Sequence, residues 1–217
     1  MPDYETRDKI MNAAQKIFAE KGLHVAKVSD IVKEAGVAQG TFYLYFKNKE
    51  ELFQAIVDTN FEEMNGVFER LRGLPETACS PKIVREHLYG IFTELLLNFY
   101  QNKGLHTMMH MHGINSEKVD NVCNLFHKRL SSLISAELRR FGYAPGYSEE
   151  QMEVATFAVM GMFQEVAFQW FIERGAKDTV IPGLAEVLTD MLLWLLVGEE
   201  AARLGAAGCQ NSVEMTD

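Results

Sequence analysis

Apolar positions recur at helical spacing almost from the start of this 217-residue chain. Ile10, Ala13, Ala14, Ile17 and Phe18 follow the i, i+3, i+4, i+7, i+8 pattern of a single buried face. Lys21 then places a cation in the last turn and Gly22 predicts the stop. A second stripe, Val28, Ile31, Val32 and Ala35, ends at Gly36, and a third segment must begin at about Ala38. Two short helices joined by a three-residue, glycine-containing turn form the helix-turn-helix pattern. Asn48 with Glu51 three residues on predicts a capped start for a long helix reaching about Gly73. Its apolar positions are Leu52, Phe53, Ile56, Phe61, Met64, Val67, Phe68 and Leu71.

The rest of the chain continues in the same period. Ser80 and Pro81 open a helix to about Tyr100, a shorter segment covers "KGLHTMMHMHGI", and Ser116 caps a helix to about Phe141. Ser148 with Gln151 starts a further helix to Arg174, and a last one runs from about Pro182 to Leu204. No strand-like alternation of useful length and no repeat of 20–50 residues appears. The expected fold is all-α with about nine helices. A three-helix head (1–50) is linked through the helix 48–73 to a larger helical body (51–204). A tail, 205–217, shows no periodicity and is expected to be disordered.

The segment "GVAQGTFYLYFKNKEEL" (36–52) crowds four aromatic rings into five positions and follows them with two lysines. At about 100° per residue, Phe42 and Phe46 fall together as an i, i+4 pair that can seat the helix on the two before it. Thr41, Leu44 and Tyr45 project the opposite way, with Tyr43 at the flank. The first-turn residues Gln39, Gly40 and Thr41 sit where a helix in a major groove reaches base edges. Gln pairs with adenine, Thr donates, accepts or touches a thymine methyl, and Gly admits close backbone approach. Leu44 offers an apolar contact suited to a thymine methyl. Tyr43, Tyr45, Lys47 and Lys49 are placed to hold flanking phosphates. Taken alone, such an aromatic cluster reads as plain core; the two correctly spaced helices before it change that reading.

Charge sharpens this picture. The whole chain carries a formal net charge of −9, which argues against coating nucleic acid by bulk charge. Residues 1–60, however, hold 8 Lys+Arg against 9 Asp+Glu, and the remainder 13 against 21. A near-neutral head on an acidic body binds DNA only through a few placed cations. The start, "MPDYETRDKI", has no apolar stretch of a signal peptide, and "MLLWLLV" (191–197) is far short of a membrane span. Cys79, Cys123 and Cys209 form no CxxC pair, which fits a reducing cytoplasm.

Residues Ile10 to Ile56, including "FAEKG", "EAGVAQGTFYLYF" and "KNKEEL", closely resemble the N-terminal DNA-binding domain of TetR/AcrR-family transcriptional regulators. The resemblance implies a homodimer on a palindromic double-stranded operator, usually a repressor released by a small molecule. It implies DNA contacts at Ser29, Gln39, Gly40, Thr41, Tyr43, Tyr45 and Lys49, with Lys47 as a further candidate. Two positions depart from the pattern. Many members carry Thr where Lys27 stands and Ser where Ala38 stands, both as helix caps. Ala is a poor N-cap, so the reading helix starts less firmly here, while Lys27 can supply a phosphate contact instead.

In the body the resemblance is architectural: C-terminal helices that bind an effector, and two last long helices that form the dimer's four-helix bundle. "MEVATFAVMGMFQEVAFQWFIERG" and the stretch 181–197 are apolar around most of their circumference, which demands burial on several sides. A large monomeric core would satisfy this too; paired operator half-sites favour the dimer. In "LHTMMHMHG", His106 and His110 share an i, i+4 face with Met108, Met109, Met111 and His112 nearby. No HExxH motif, cysteine or carboxylate completes a metal set there, so pocket lining or packing is the expected role and no cofactor is expected. Together with Phe92, Leu96, Phe99, Phe126, Met162 and Phe163, His106, Met109 and His110 are expected to line a site for a hydrophobic effector. The alternatives are a metal- or haem-responsive regulator on the same scaffold, or a small all-α enzyme using His106, His110 or Cys123. Against the enzyme, no G-x-S-x-G, paired-carboxylate or phosphate-loop pattern occurs.

Overall fold

The structure, a computed structural model, describes residues 4–72, 81–110, 117–140 and 146–194. Among them the chain is helical throughout, with no strand. The helices are α1 (Tyr4–Lys21), α2 (Val28–Ala35), α3 (Gln39–Tyr45), α4 (Lys49–Leu71), α5 (Pro81–Gln101), α6 (Lys103–His110), α7 (Glu117–Arg140) and α8 (Glu149–Phe168). A ninth, α9, occupies 181–194 after a single 3-10 turn, Asp178–Val180. The all-α expectation and the helix count hold. The expected cap Ser116, together with His112, Met111 and the tail 205–217, falls outside the described residues.

Two compact units divide the chain: Met1–Glu63 with Asn102–Lys128, and Met64–Gln101 with Arg129–Asp217. In the first, the predicted stripe of α1 is buried from Ile10 to Phe18, with Leu23, Ile31, Phe42, Leu52 and Leu105 fully enclosed as well. The turns are set by backbone chemistry. Gly36 closes α2 in the left-handed region (φ 66°), where its N–H and that of Val37 satisfy carbonyls of the last turn. α6 packs on α1 with Gly104 in the contact: a Cβ there would stand 3.2 Å from the Gln15 carbonyl oxygen.

The start of α4 follows the predicted cap with one change of partner. Asn48 Oδ1 accepts from the Glu51 N–H at 2.8 Å, but the Glu51 carboxylate accepts from Lys47 N–H (2.8 Å) rather than from Asn48. At α8 the box is as the sequence reads: Ser148 Oγ accepts from Gln151 N–H, and Gln151 Oε1 from Ser148 N–H.

The second unit holds an aromatic cluster in its interior. Phe92 stacks on Phe163 (6.4 Å, 21°), Phe99 meets Phe163 and Phe171, and Tyr100 meets Phe171. The sequence predicts one continuous helix to Arg174; instead α8 widens into a π turn at Gln169–Glu173. The extra residue per turn changes the angular register, and Phe171 ends buried against Phe99 and Tyr100. The same unit holds a buried ionic group. Glu137 accepts from Arg72 Nε (3.1 Å) and Arg140 Nη1 (3.4 Å), with His87 Nε2 at 3.5 Å, and Arg140 also donates to the Arg72 carbonyl (3.0 Å). Burial pushes the Glu137 carboxyl up, but the His87 hydrogen bond and the two guanidinium groups outweigh it and hold the group below the usual range.

Candidate nucleic-acid interface

The helical wheel drawn for 41–46 matches burial at Phe42, Phe46 and Leu44, while Thr41 and Tyr45, which it turns outward, are half-buried. Phe42 is fully enclosed and Phe46 nearly so, their ring centroids 5.9 Å apart, while Tyr43 and Leu44 face outward, Leu44 with 73% of its surface exposed. A large apolar side chain on a charged surface, standing that far out, has no role in this chain's own core. Gln39 and Gly40 in the first turn are exposed, and Thr41 is half-buried. Phe42 braces Tyr43 edge-on (5.3 Å, 83°), and Tyr45 lies half-buried against Phe46.

α3 begins without a side-chain cap, as the sequence predicts from Ala38, which has cap-like backbone angles (φ −72°, ψ 149°) but no oxygen to offer. Ala38→Ser is therefore expected to stabilise the protein by about 1 kcal/mol, read by chemical denaturation. An unchanged midpoint would show that the first turn already has its donors satisfied. Lys27 stands at the corresponding place on α2 and likewise has no acceptor. Its own N–H donates to Asp30 (3.3 Å), whose carboxyl is held down by Lys21 first and by that backbone bond second. The ammonium of Lys27 and the Ser29 side chain are both exposed.

Lys49 has a second task that the sequence did not disclose. Its ammonium donates to the carbonyls of His24 (2.7 Å) and Ala26 (3.2 Å), pinning the start of α4 to the turn between α1 and α2. Two of its three donors are spent on the head itself, leaving one for any phosphate. Lys47 remains exposed. Gly40 is not required by the fold: a Cβ there would meet nothing within 4 Å, and its backbone is helical. Gly40→Ala is thus expected to raise stability by about 0.5–1 kcal/mol, and, if α3 lies against DNA as the sequence predicts, the same Cβ should weaken operator binding. Stability and affinity rising together would remove Gly40 from the interface.

The structure distributes the candidate effector residues over both units. Phe92, Leu96 and Phe99 on α5 and half-buried Met162 and buried Phe163 on α8 belong to the second, around the stacked rings. Phe126 on α7 and His106 and Met109 on α6 are buried in the first; the side chain of His110 lies outside the described residues. Burial holds the His106 imidazole neutral, its pKa pushed down to about 3. Cys123 is buried too, its thiol pushed up to about 11 by burial and then by Asp120, the opposite of a reactive nucleophile. Among the described residues no group of three or more His, Cys, Asp or Glu is placed to hold a metal.

Comparison with known proteins agrees with this geometry. The model of the tetR family of bacterial regulatory proteins matches residues 10–56, the span from α1 into α4. The HTH-type transcriptional regulator TtgR of Pseudomonas putida is 26% identical over 212 residues, covering 94% of each chain. The fatty acid metabolism regulator protein of Bacillus subtilis is 28% identical over 196 residues, 87% of this chain and 92% of that one. Among solved structures, the Bacillus subtilis transcriptional regulator FadR in complex with stearoyl-CoA superposes with a TM-score of 0.62 at 23% identity, covering 89% of this chain and 99% of that one. These relatives are regulators rather than enzymes. Residues 10–56 thus carry the DNA-binding head of the tetR family of bacterial regulatory proteins, and along nearly its full length the chain is similar to transcriptional regulators.

Proposed function

We propose that the protein is a homodimeric repressor that binds a palindromic operator and leaves it when a long-chain acyl effector occupies its body. The observation that carries the reading is the apolar face left open on each of the last two helices. On α8, Val154, Phe157, Ala158 and Gly161 are exposed at i, i+3, i+4 and i+7; on α9, Val187, Met191 and Trp194 are exposed at i, i+4 and i+7. Faces this apolar, on helices whose other sides are already buried, fit a second copy of the chain. A two-fold dimer presents two α3 helices, and a palindrome presents two half-sites.

In this reading the bases are met by Gln39, Gly40, Thr41 and Leu44, and the phosphates by Lys27, Ser29, Tyr43, Tyr45, Lys47 and the remaining donor of Lys49. The head is residues 1–50, and α4 carries its position into the effector-binding and dimerisation body (51–204). The effector class rests on the ring-lined interior around Phe92, Leu96, Phe99, Met162 and Phe163, and on two relatives, one named for fatty acid metabolism and one holding stearoyl-CoA. Among the described residues no helix is long and apolar enough to cross a membrane, and the cytoplasm, where an operator is met, is the proposed location.

Release requires that effector bind the DNA-incompetent state more tightly than the competent one. The test is an operator titration with and without stearoyl-CoA, beside mass spectrometry of the native purified protein for retained acyl ligands. Weaker operator binding at saturating ligand is expected. Unchanged operator affinity while stearoyl-CoA is bound would sink the coupling, and absence of binding would sink the effector class.

A further inference from the structure

The N-terminal turns of α1 carry no recognised motif, yet one side chain there reaches the end of the reading helix. The Arg7 guanidinium carbon lies over the Phe46 ring, 5.6 Å from its centroid. Phe46 is the residue that terminates α3: its backbone turns extended (φ −140°, ψ 131°), its ring is buried, and its neighbours are Tyr45 and Lys47. From this placement we propose that Arg7 is a further DNA-backbone contact, a phosphate clamp seated by Phe46 at the C-terminal end of α3. The proposal rests on the reading of α3 as the DNA-facing helix.

Three features support it. A guanidinium held over a ring keeps its N–H donors, which lie in its own plane, available for a second acceptor. Arg7 is half-buried and so held in place, and among the described residues it has no carboxylate partner; the nearby Glu5 pairs with Lys9 at 2.7 Å. Finally, Lys49 spends two donors on the carbonyls of His24 and Ala26, so the α3 end needs cationic capacity from elsewhere. Arginine suits phosphate because its fork matches two oxygens at once.

Salt dependence separates a phosphate contact from a prop. Operator affinity is measured across salt concentrations for the full-length wild type and for Arg7→Gln, Arg7→Lys, Lys47→Gln and Gln39→Ala, with thermal melts for each. Arg7→Gln is expected to lower the slope of log K against log salt by about one and to leave base preference unchanged. Arg7→Lys should keep the slope. On operators with single neutral methylphosphonates, wild type should lose affinity at one position where Arg7→Gln loses nothing further, a readout that loss of packing would not reproduce. A wild-type slope in Arg7→Gln, even with weaker binding, would overturn the proposal and leave Arg7 as a brace for Phe46. If Lys47→Gln also leaves the slope and Gln39→Ala the base preference untouched, the reading of α3 itself fails, and the proposal with it.

Discussion

Replacing Phe157 with Asp is expected to turn the proposed homodimer into a monomer and to lower operator affinity by about 10²–10⁴-fold, the advantage that linking two weak half-site contacts confers. The effect is this large because the substitution acts twice. It removes an aromatic ring from the centre of the α8 face, and it would set two carboxylates into an apolar interface related by two-fold symmetry, where neither finds a partner. The fold of the single chain should survive, since Phe157 is 51% exposed and the core of α8 is built from Met152, Val159, Met160 and Phe163 on its other side. Gly161, one turn on, leaves open space above the same face. Sedimentation should show half the wild-type mass with unchanged helical content, and half-site binding should fall far less than binding to the full palindrome. Phe157→Leu should remain dimeric. A wild type that sediments as a monomer, or an Asp variant that remains dimeric, would remove α8 from the interface.

How much of this was legible in the sequence depends on the range of the interaction. Helix stripes and caps are local, and they appear where the periodicity puts them: Ile10 to Phe18 on α1, Ser148 with Gln151 on α8, Phe42 and Phe46 turned inward from a helix of seven residues. Contacts between distant segments left no local trace. The carbonyls that hold Lys49 lie 23 and 25 positions earlier, and any lysine at a helix start reads as a free cation. Arg7 meets Phe46 across 39 positions, so no motif could have joined them. The effector residues show the same limit from the other side. Periodicity marks Phe92 and Phe126 alike as buried, but it does not say that one packs against Phe163 and the other against Phe61, in different units. The π turn at Gln169–Glu173 was hidden because one widened turn leaves the pattern of apolar residues helical.

His106→Met is expected to flatten the pH dependence of stability between about pH 6.5 and the strongly acid range. The imidazole is wholly enclosed on α6, and burial depresses its pKa from 6.5 to about 3. The unfolded chain therefore binds a proton as pH falls through 6.5, while the folded chain does not until about 3. Stability is present above the unfolded value and is lost as pH falls towards the folded one. Each unit below 6.5 costs roughly 1.4 kcal/mol, so about 2 kcal/mol is lost by pH 5, and the limit at full protonation is on the order of 5 kcal/mol. Methionine fills a similar volume without a titrating group, so the difference between the two profiles isolates this histidine from Glu137, whose lowered pKa acts only in more acid solution. α6 packs on α1 with Gly104 close to the Gln15 carbonyl, so protonation of His106 would withdraw a brace from the reading head. With the folded-state pKa near 3 this reaches the native protein only in strongly acid solution, and operator affinity at pH 5.5 should be the same for wild type and His106→Met. Denaturation profiles of equal slope for the two proteins would mean that the imidazole finds solvent in the native state, and that α6 is not closed over it.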